Sequence, residues 1–134
     1  MISHPRMVAH GDQLMKTINN KFDDLCQYAI DAYDETIEGV SYESTLVDIL
    51  EFIESNESEK PFFVERFKEI MESSDMPLEV VSFCMRKFRW PEIKEYASKC
   101  IRESSDPRSH ALITITEAYE DDWPDEDLYE YFLK

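Results

Sequence analysis

The chain has 134 residues and a formal net charge of −16, from 30 Asp and Glu against 14 Lys and Arg. That length suits a single domain, 1–134, with a core of its own, and that charge repels nucleic acid and anionic membranes while attracting basic proteins. Only two glycines and few alternating β-branched runs argue against a sandwich or barrel, whereas the supply of Glu, Leu, Ile, Met, Phe and Lys suits helices.

Met1–His10 reads as a flexible leader, and it lacks the apolar centre of a signal peptide. Asp12 is placed to cap a long helix over 12–38, because Leu14, Ile18, Phe22, Leu25, Ala29 and Tyr33 keep helical spacing. Gly39 is placed to end it. Asp34, Glu35 and Glu38 crowd that C-terminal end, where the helix dipole disfavours negative charge. Such a conflict between local rule and sequence points either to a solvated face or to a binding function.

The hairpin section runs over 41–134. Ser41 can cap the next helix, Ser44–Ser55, whose inner row is Leu46, Ile49, Leu50 and Ile53. Its polar side carries Glu43, Asp48, Glu51 and Glu54, and 55–59 reads as a loop.

From Pro61 one pattern is written twice, Pro61 to Trp90 and Pro91 to Trp123. Each copy opens on proline, carries an apolar row, breaks at Glu-Ser-Ser-Asp, carries a second row and closes on Trp-Pro. Phe63, Phe67, Ile70 and Met71 match Ile93, Ala97, Cys100 and Ile101 at an offset of 30, and the closing pairs are offset by 33. Val80, Val81, Cys84 and Phe88 match Ala111, Leu112, Ile115 and Tyr119. These rows predict helices over 61–72, 77–89, 92–103 and 107–120, followed by a last one over 125–133. Proline suits a helix's first turn, and Asp75 and Asp106 are placed to cap the second helix of each hairpin. The expected central core is Phe67, Ile70, Val81, Cys84, Phe88, Ala97, Ile101, Leu112 and Ile115.

Charge is unevenly spread along the chain. Residues 22–59 hold twelve acidic residues and no Lys or Arg, 60–108 hold nine acidic and ten basic, and 117–130 hold eight acidic and no basic. Arg86, Lys87 and Arg89 are expected to pair with the acidic ends. In the C-terminal end, Tyr119, Trp123, Tyr129 and Tyr131 interleave with the acids. Tyr and Trp make good interface anchors because they bury much area with few rotors. Trp123 reads first as core, as the matching Trp90 suggests, and second as an interface anchor.

No catalytic or metal-binding pattern is present: no Gly-rich phosphate loop, no H-E-x-x-H, no E-x-x-H pair and no nucleophile elbow. His110 has no partner spaced for general-base work. Cys26, Cys84 and Cys100 each fall in an apolar row and read as buried, reduced thiols. No apolar run approaches the ~18 residues of a membrane span. The expectation is a cytoplasmic protein that is not an enzyme and uses neither cofactor nor metal.

With its helical hairpins, Pro-opened first helices and Asp at the hairpin turns, the chain resembles a HEAT-like α-solenoid. The implied fold is all-α, a short solenoid of about seven antiparallel helices. In overall character it is also similar to the small, acidic immunity proteins that bacteria make against toxic nucleases, including those of contact-dependent inhibition. That resemblance implies a non-catalytic role, binding a basic toxin nuclease domain and masking it, with no direct contact to nucleic acid or membrane. The partner-binding residues expected at the first acidic end are Asp34, Glu35, Glu38, Glu51 and Glu54. At the second they are Tyr119, Asp121, Asp122, Asp125, Glu126, Asp127, Tyr129 and Tyr131. A helical adaptor or assembly module, and a nucleic-acid mimic acting on a host protein, are the competing readings.

Overall fold

The computed structural model describes residues 3–35, 37–73, 76–103, 111–123, 126 and 129–133, and every regular element among them is helical. The elements are α1 (Ser3–Tyr33), α2 (Tyr42–Glu54), a 3₁₀ turn (Glu57–Glu59), α3 (Lys60–Glu72), α4 (Glu79–Phe88), α5 (Pro91–Glu103), α6 (Ile113–Glu117) and α7 (Glu130–Leu133). The chain is all-α. It divides into two compact units, Met1–Thr45 and Leu46–Lys134.

In the first unit, α1 departs from expectation at both ends. It starts at Ser3, so residues 3–10 are helical rather than a loose leader and Asp12 lies inside the helix. Pro5 falls in the first turn, where a missing N–H is no loss. The helix stops at Tyr33 rather than Glu38, because Glu35 takes a left-handed φ of 59°. Gly39, with φ 76°, shapes the turn beyond. The buried stripe is Ile18, Phe22, Cys26, Ala29 and Ala32. Its spacing of 3.6 residues per turn carries it from Ala29 to Ala32, which leaves Leu25 half-buried and Tyr33 56% exposed. At the start of α2, the Ser44 amide donates to Ser41 Oγ at 3.0 Å and the Ser44 hydroxyl returns a bond to the Ser41 carbonyl at 2.8 Å. Ser41 thus caps the helix through its Oγ, without the return bond to its N–H that a capping box would add.

The second unit is organised on α4. Val80, Val81, Ser82, Phe83, Cys84 and Met85 are all buried, and a helix buried on every side is a central one. Leu46, Ile49, Leu50 and Ile53 of α2 are buried as the row predicts, as are Phe63, Phe67, Ile70 and Met71 of α3. Each such side chain contributes roughly 1.5–3 kcal/mol on burial. Within this unit α3 packs on α4 and α5, and α6 packs on α4 and α5. Phe88 and Ile101, expected in the core, are only half-buried. Phe88 instead stacks on Trp90 at 5.2 Å and 15°, while Phe67 meets the same indole at 6.0 Å. Phe83, absent from the expected row, is wholly buried.

The described C-terminal residues break the expected rows at Leu112 and Tyr129. Of the helix expected over 107–120, residues 107–110 lie outside the described ones, Ala111 is helical, Leu112 turns, and α6 runs over Ile113–Glu117 before tightening into turns bonded Tyr119 to Thr116 and Glu120 to Glu117. The run Ile113, Thr114, Ile115, Thr116 is wholly β-branched, which weakens a helix. The last helix is Glu130–Leu133 rather than 125–133. α4 spans Glu79–Phe88, with Leu78 at its N-cap and no side-chain cap. Asp75 and Asp106, expected as caps, lie outside the described residues, as does His110.

Candidate functional site

The first acidic end folds around the connection between α1 and α2. The last turn of α1 closes with Asp34 N–H on the Ile30 carbonyl at 2.9 Å and Glu35 N–H on the Ala32 carbonyl at 3.2 Å. An open groove of about 550 Å³ follows, lined by Ala32, Tyr33, Glu35, Ile37, Glu38, Gly39, Val40, Ser41 and Tyr42. Tyr33 and Tyr42 pair edge to face, 5.2 Å between ring centres. Asp34, Glu35 and Glu38 are exposed, and no described cation pairs with their carboxylates. Glu51, in the second unit, is exposed on α2. Glu54 is half-buried and lies 3.1 Å from Lys87 Nζ.

The second acidic end is built onto the last turn of α4. Arg86, whose side chain is 9% exposed, donates from Nε to Glu126 Oε2 at 2.7 Å and from Nη2 to the same oxygen. Its Nη1 donates to the carbonyls of Ala118, at 3.1 Å, and Glu120, and Nη2 reaches the Asp121 carbonyl at 3.4 Å. The guanidinium also lies 5.7 Å from the Trp123 ring centre. One arginine thus satisfies the carbonyls left open where α6 ends. Lys87 donates to Tyr131 Oη at 2.8 Å, and that bond, with Glu54, raises its pKa.

The aromatics of this end face inward. Tyr129 is 7% exposed and Trp123 4%. Phe83 meets Tyr129 at 5.0 Å, Phe132 at 4.9 Å and Tyr131 at 5.7 Å, and Trp123 stacks on Tyr129 at 5.8 Å. Tyr119 donates its hydroxyl to the Trp90 carbonyl at 2.6 Å, and burial raises its pKa. The expected anchors Tyr119, Tyr129 and Tyr131 are therefore tied into the fold. Asp121 and Asp122 are exposed, and Asp125 and Asp127 lie outside the described residues.

The two ends differ in what they can do. The first presents carboxylates and an exposed tyrosine around a groove; the second holds its tyrosines and Glu126 on the chain's own cations and rings. Pairing of Arg86 and Lys87 with acidic residues was legible in the sequence. The carbonyl clamp made by Arg86 was not, because backbone acceptors leave no sequence signal. Phe83 had one: the run Val80–Met85, apolar but for Ser82, marks a helix buried all round.

Cys26 and Cys84 are buried and Cys100 is half-buried, all as free thiols. Among the described residues no group of three or more His, Cys, Asp or Glu is placed to hold a metal ion, and no helix is long and apolar enough to cross a membrane. Compared with known proteins, the chain matches no family model, no curated protein and no solved structure.

Proposed function

We propose that this is a non-catalytic acidic binding protein that neutralises a basic protein partner, acting as an immunity protein that masks a toxin nuclease. The observation that carries the reading is the first acidic end: twelve acidic residues and no Lys or Arg over 22–59, with Asp34, Glu35 and Glu38 exposed and unpaired by any described cation beside an open groove. Such a surface steers a basic partner to it and competes with the phosphates a nuclease binds. A short HEAT-like solenoid of antiparallel hairpins is the architecture we assign to the second unit. Its support is the packing order, in which first helices meet (α3 with α5), second helices meet (α4 with α6), and each hairpin closes on itself (α3 with α4, α5 with α6).

The test is recovery of the partner on the immobilised full chain, followed by assay of that partner's nuclease activity with and without the protein. The reading expects a partner of pI above about 9, inhibited at equimolar protein, with association slowing as salt rises past the ~8 Å screening length of physiological ionic strength. A recovered partner that is acidic, or whose activity is untouched, would contradict it.

A further inference from the structure

We infer that the groove between α1 and α2 seats an arginine side chain of the partner; this rests on the basic-partner reading above and narrows it to one place. The buried and half-buried lining, Ala32, Ile37 and Val40, makes an apolar floor, and the exposed Tyr33, Glu35 and Glu38 make its rim. Arginine has that same division, an apolar stem that covers hydrophobic surface and a charged head that seeks polar partners. Its planar guanidinium stacks on an aromatic ring and forks onto carboxylates, and it is less strongly hydrated than an ammonium. At about 550 Å³ the groove also has room for the backbone flanking such a residue.

Other occupants fit less well. An apolar side chain would strip water from Glu35 and Glu38 and return nothing to their charges. A metal ion would need more ligands than the groove's two carboxylates, and no described trio of His, Cys, Asp or Glu is placed for one. No described cation of the chain pairs with Glu35 or Glu38, and residues 22–59 contain no Lys or Arg. Elsewhere, Glu54 of the same acidic stretch already holds Lys87, and Glu126 of the other end holds Arg86.

The experiment is a titration of ¹⁵N-labelled full chain with capped tri-arginine, capped tri-lysine and capped tri-citrulline, the neutral isostere, at constant ionic strength. Tri-arginine is expected to shift the amides of Tyr33, Glu35, Glu38, Gly39 and Tyr42 saturably, more tightly than tri-lysine, with no response to tri-citrulline. The double variant Glu35→Gln, Glu38→Gln should bind it roughly fivefold or more weakly, and its amide spectrum reports whether the fold is kept. Tyr33→Leu should weaken tri-arginine and leave tri-lysine nearly unchanged. Non-saturating shifts spread over every acidic stretch, or tighter binding of tri-lysine, would overturn the arginine seat. Saturable shifts at Asp121 and Asp122 instead of the groove would overturn it and leave the basic-partner reading standing. Equal responses to tri-citrulline and tri-arginine would remove both.

Discussion

The two acidic ends look alike as sequence and differ as structure. Both hold many carboxylates, no Lys or Arg, and interleaved tyrosines. At the C-terminal end Glu126 is held by Arg86, Tyr131 by Lys87, and Tyr129 is 7% exposed among aromatic rings. At the N-terminal end Tyr33 is 56% exposed, and Asp34, Glu35 and Glu38 meet no described cation. The difference lies in the helix behind each. α4 carries Arg86 and Lys87 in its last turn, so Glu126 and the rings there are drawn onto the fold, while Asp121 and Asp122 stay exposed. α1 has no basic residue in its last turn, so its terminal acids stay available. An acidic, aromatic run marks a binding surface only where nothing nearby satisfies it.

The comparison breaks most readily at the C-terminal end. Arg86→Met should destabilise the protein by about 3–5 kcal/mol, because it orphans Glu126 and the carbonyls of Ala118, Glu120 and Asp121 together. Urea denaturation reads this directly, and a change under about 1 kcal/mol would mean that the clamp contributes little. Tyr129→Ala should lose a similar amount, about 3 kcal/mol or more, through the vacated contacts with Phe83, Trp123 and Phe132. Had Tyr129 been an interface anchor, the same substitution would leave the melting temperature unmoved.

A smaller effect comes from Tyr119→Phe, which removes the hydroxyl bond to the Trp90 carbonyl at about 1 kcal/mol. Burial raises the folded pKa of Tyr119 above the ordinary 10.0. The folded state therefore keeps the phenol proton longer than the unfolded chain does. Stability from this group is full below about pH 10 and declines as pH rises toward the folded value. Alkaline denaturation of Tyr119→Phe should accordingly begin later, relative to its own neutral-pH stability, than that of the native chain.

Smallest is the expected effect of Asp34→Asn, Glu35→Gln and Glu38→Gln together. Removing carboxylates from the C-terminal end of α1 should raise stability slightly, by up to about 1 kcal/mol, since the helix dipole opposes them. Glu35→Gly should add a gain of similar size by relieving the left-handed φ. Loss of stability in either variant would assign these residues to the fold and erase the contrast between the two ends.

Much of the architecture was legible because it rests on local apolar spacing. α2, α3 and α5 fall within two residues of their sequence bounds, each with a clean row and a serine or proline at its start. The misses have physical causes. α1 gave no strong stop signal, because glutamate rarely adopts the left-handed conformation that Glu35 takes. α6 ends at Glu117 despite its apolar row, where the chain tightens into turns whose carbonyls Arg86 holds. Of the candidate site, the charge pattern was legible. Which tyrosines face solvent was not, since that turns on Phe83 and Arg86 in a helix some forty residues earlier.

The central claim, that the N-terminal end carries the binding charge, is tested most directly by one kinetic comparison. Association of the recovered partner would be followed by stopped flow from about 50 to 300 mM salt for three proteins. These are the native chain, the triple variant Asp34→Asn, Glu35→Gln, Glu38→Gln, and the matched triple variant Glu120→Gln, Asp121→Asn, Asp122→Asn. The account predicts that the first triple variant lowers the on-rate and flattens its salt dependence clearly more than the second. Equal losses from the two, or a larger loss from the C-terminal variant, would contradict it.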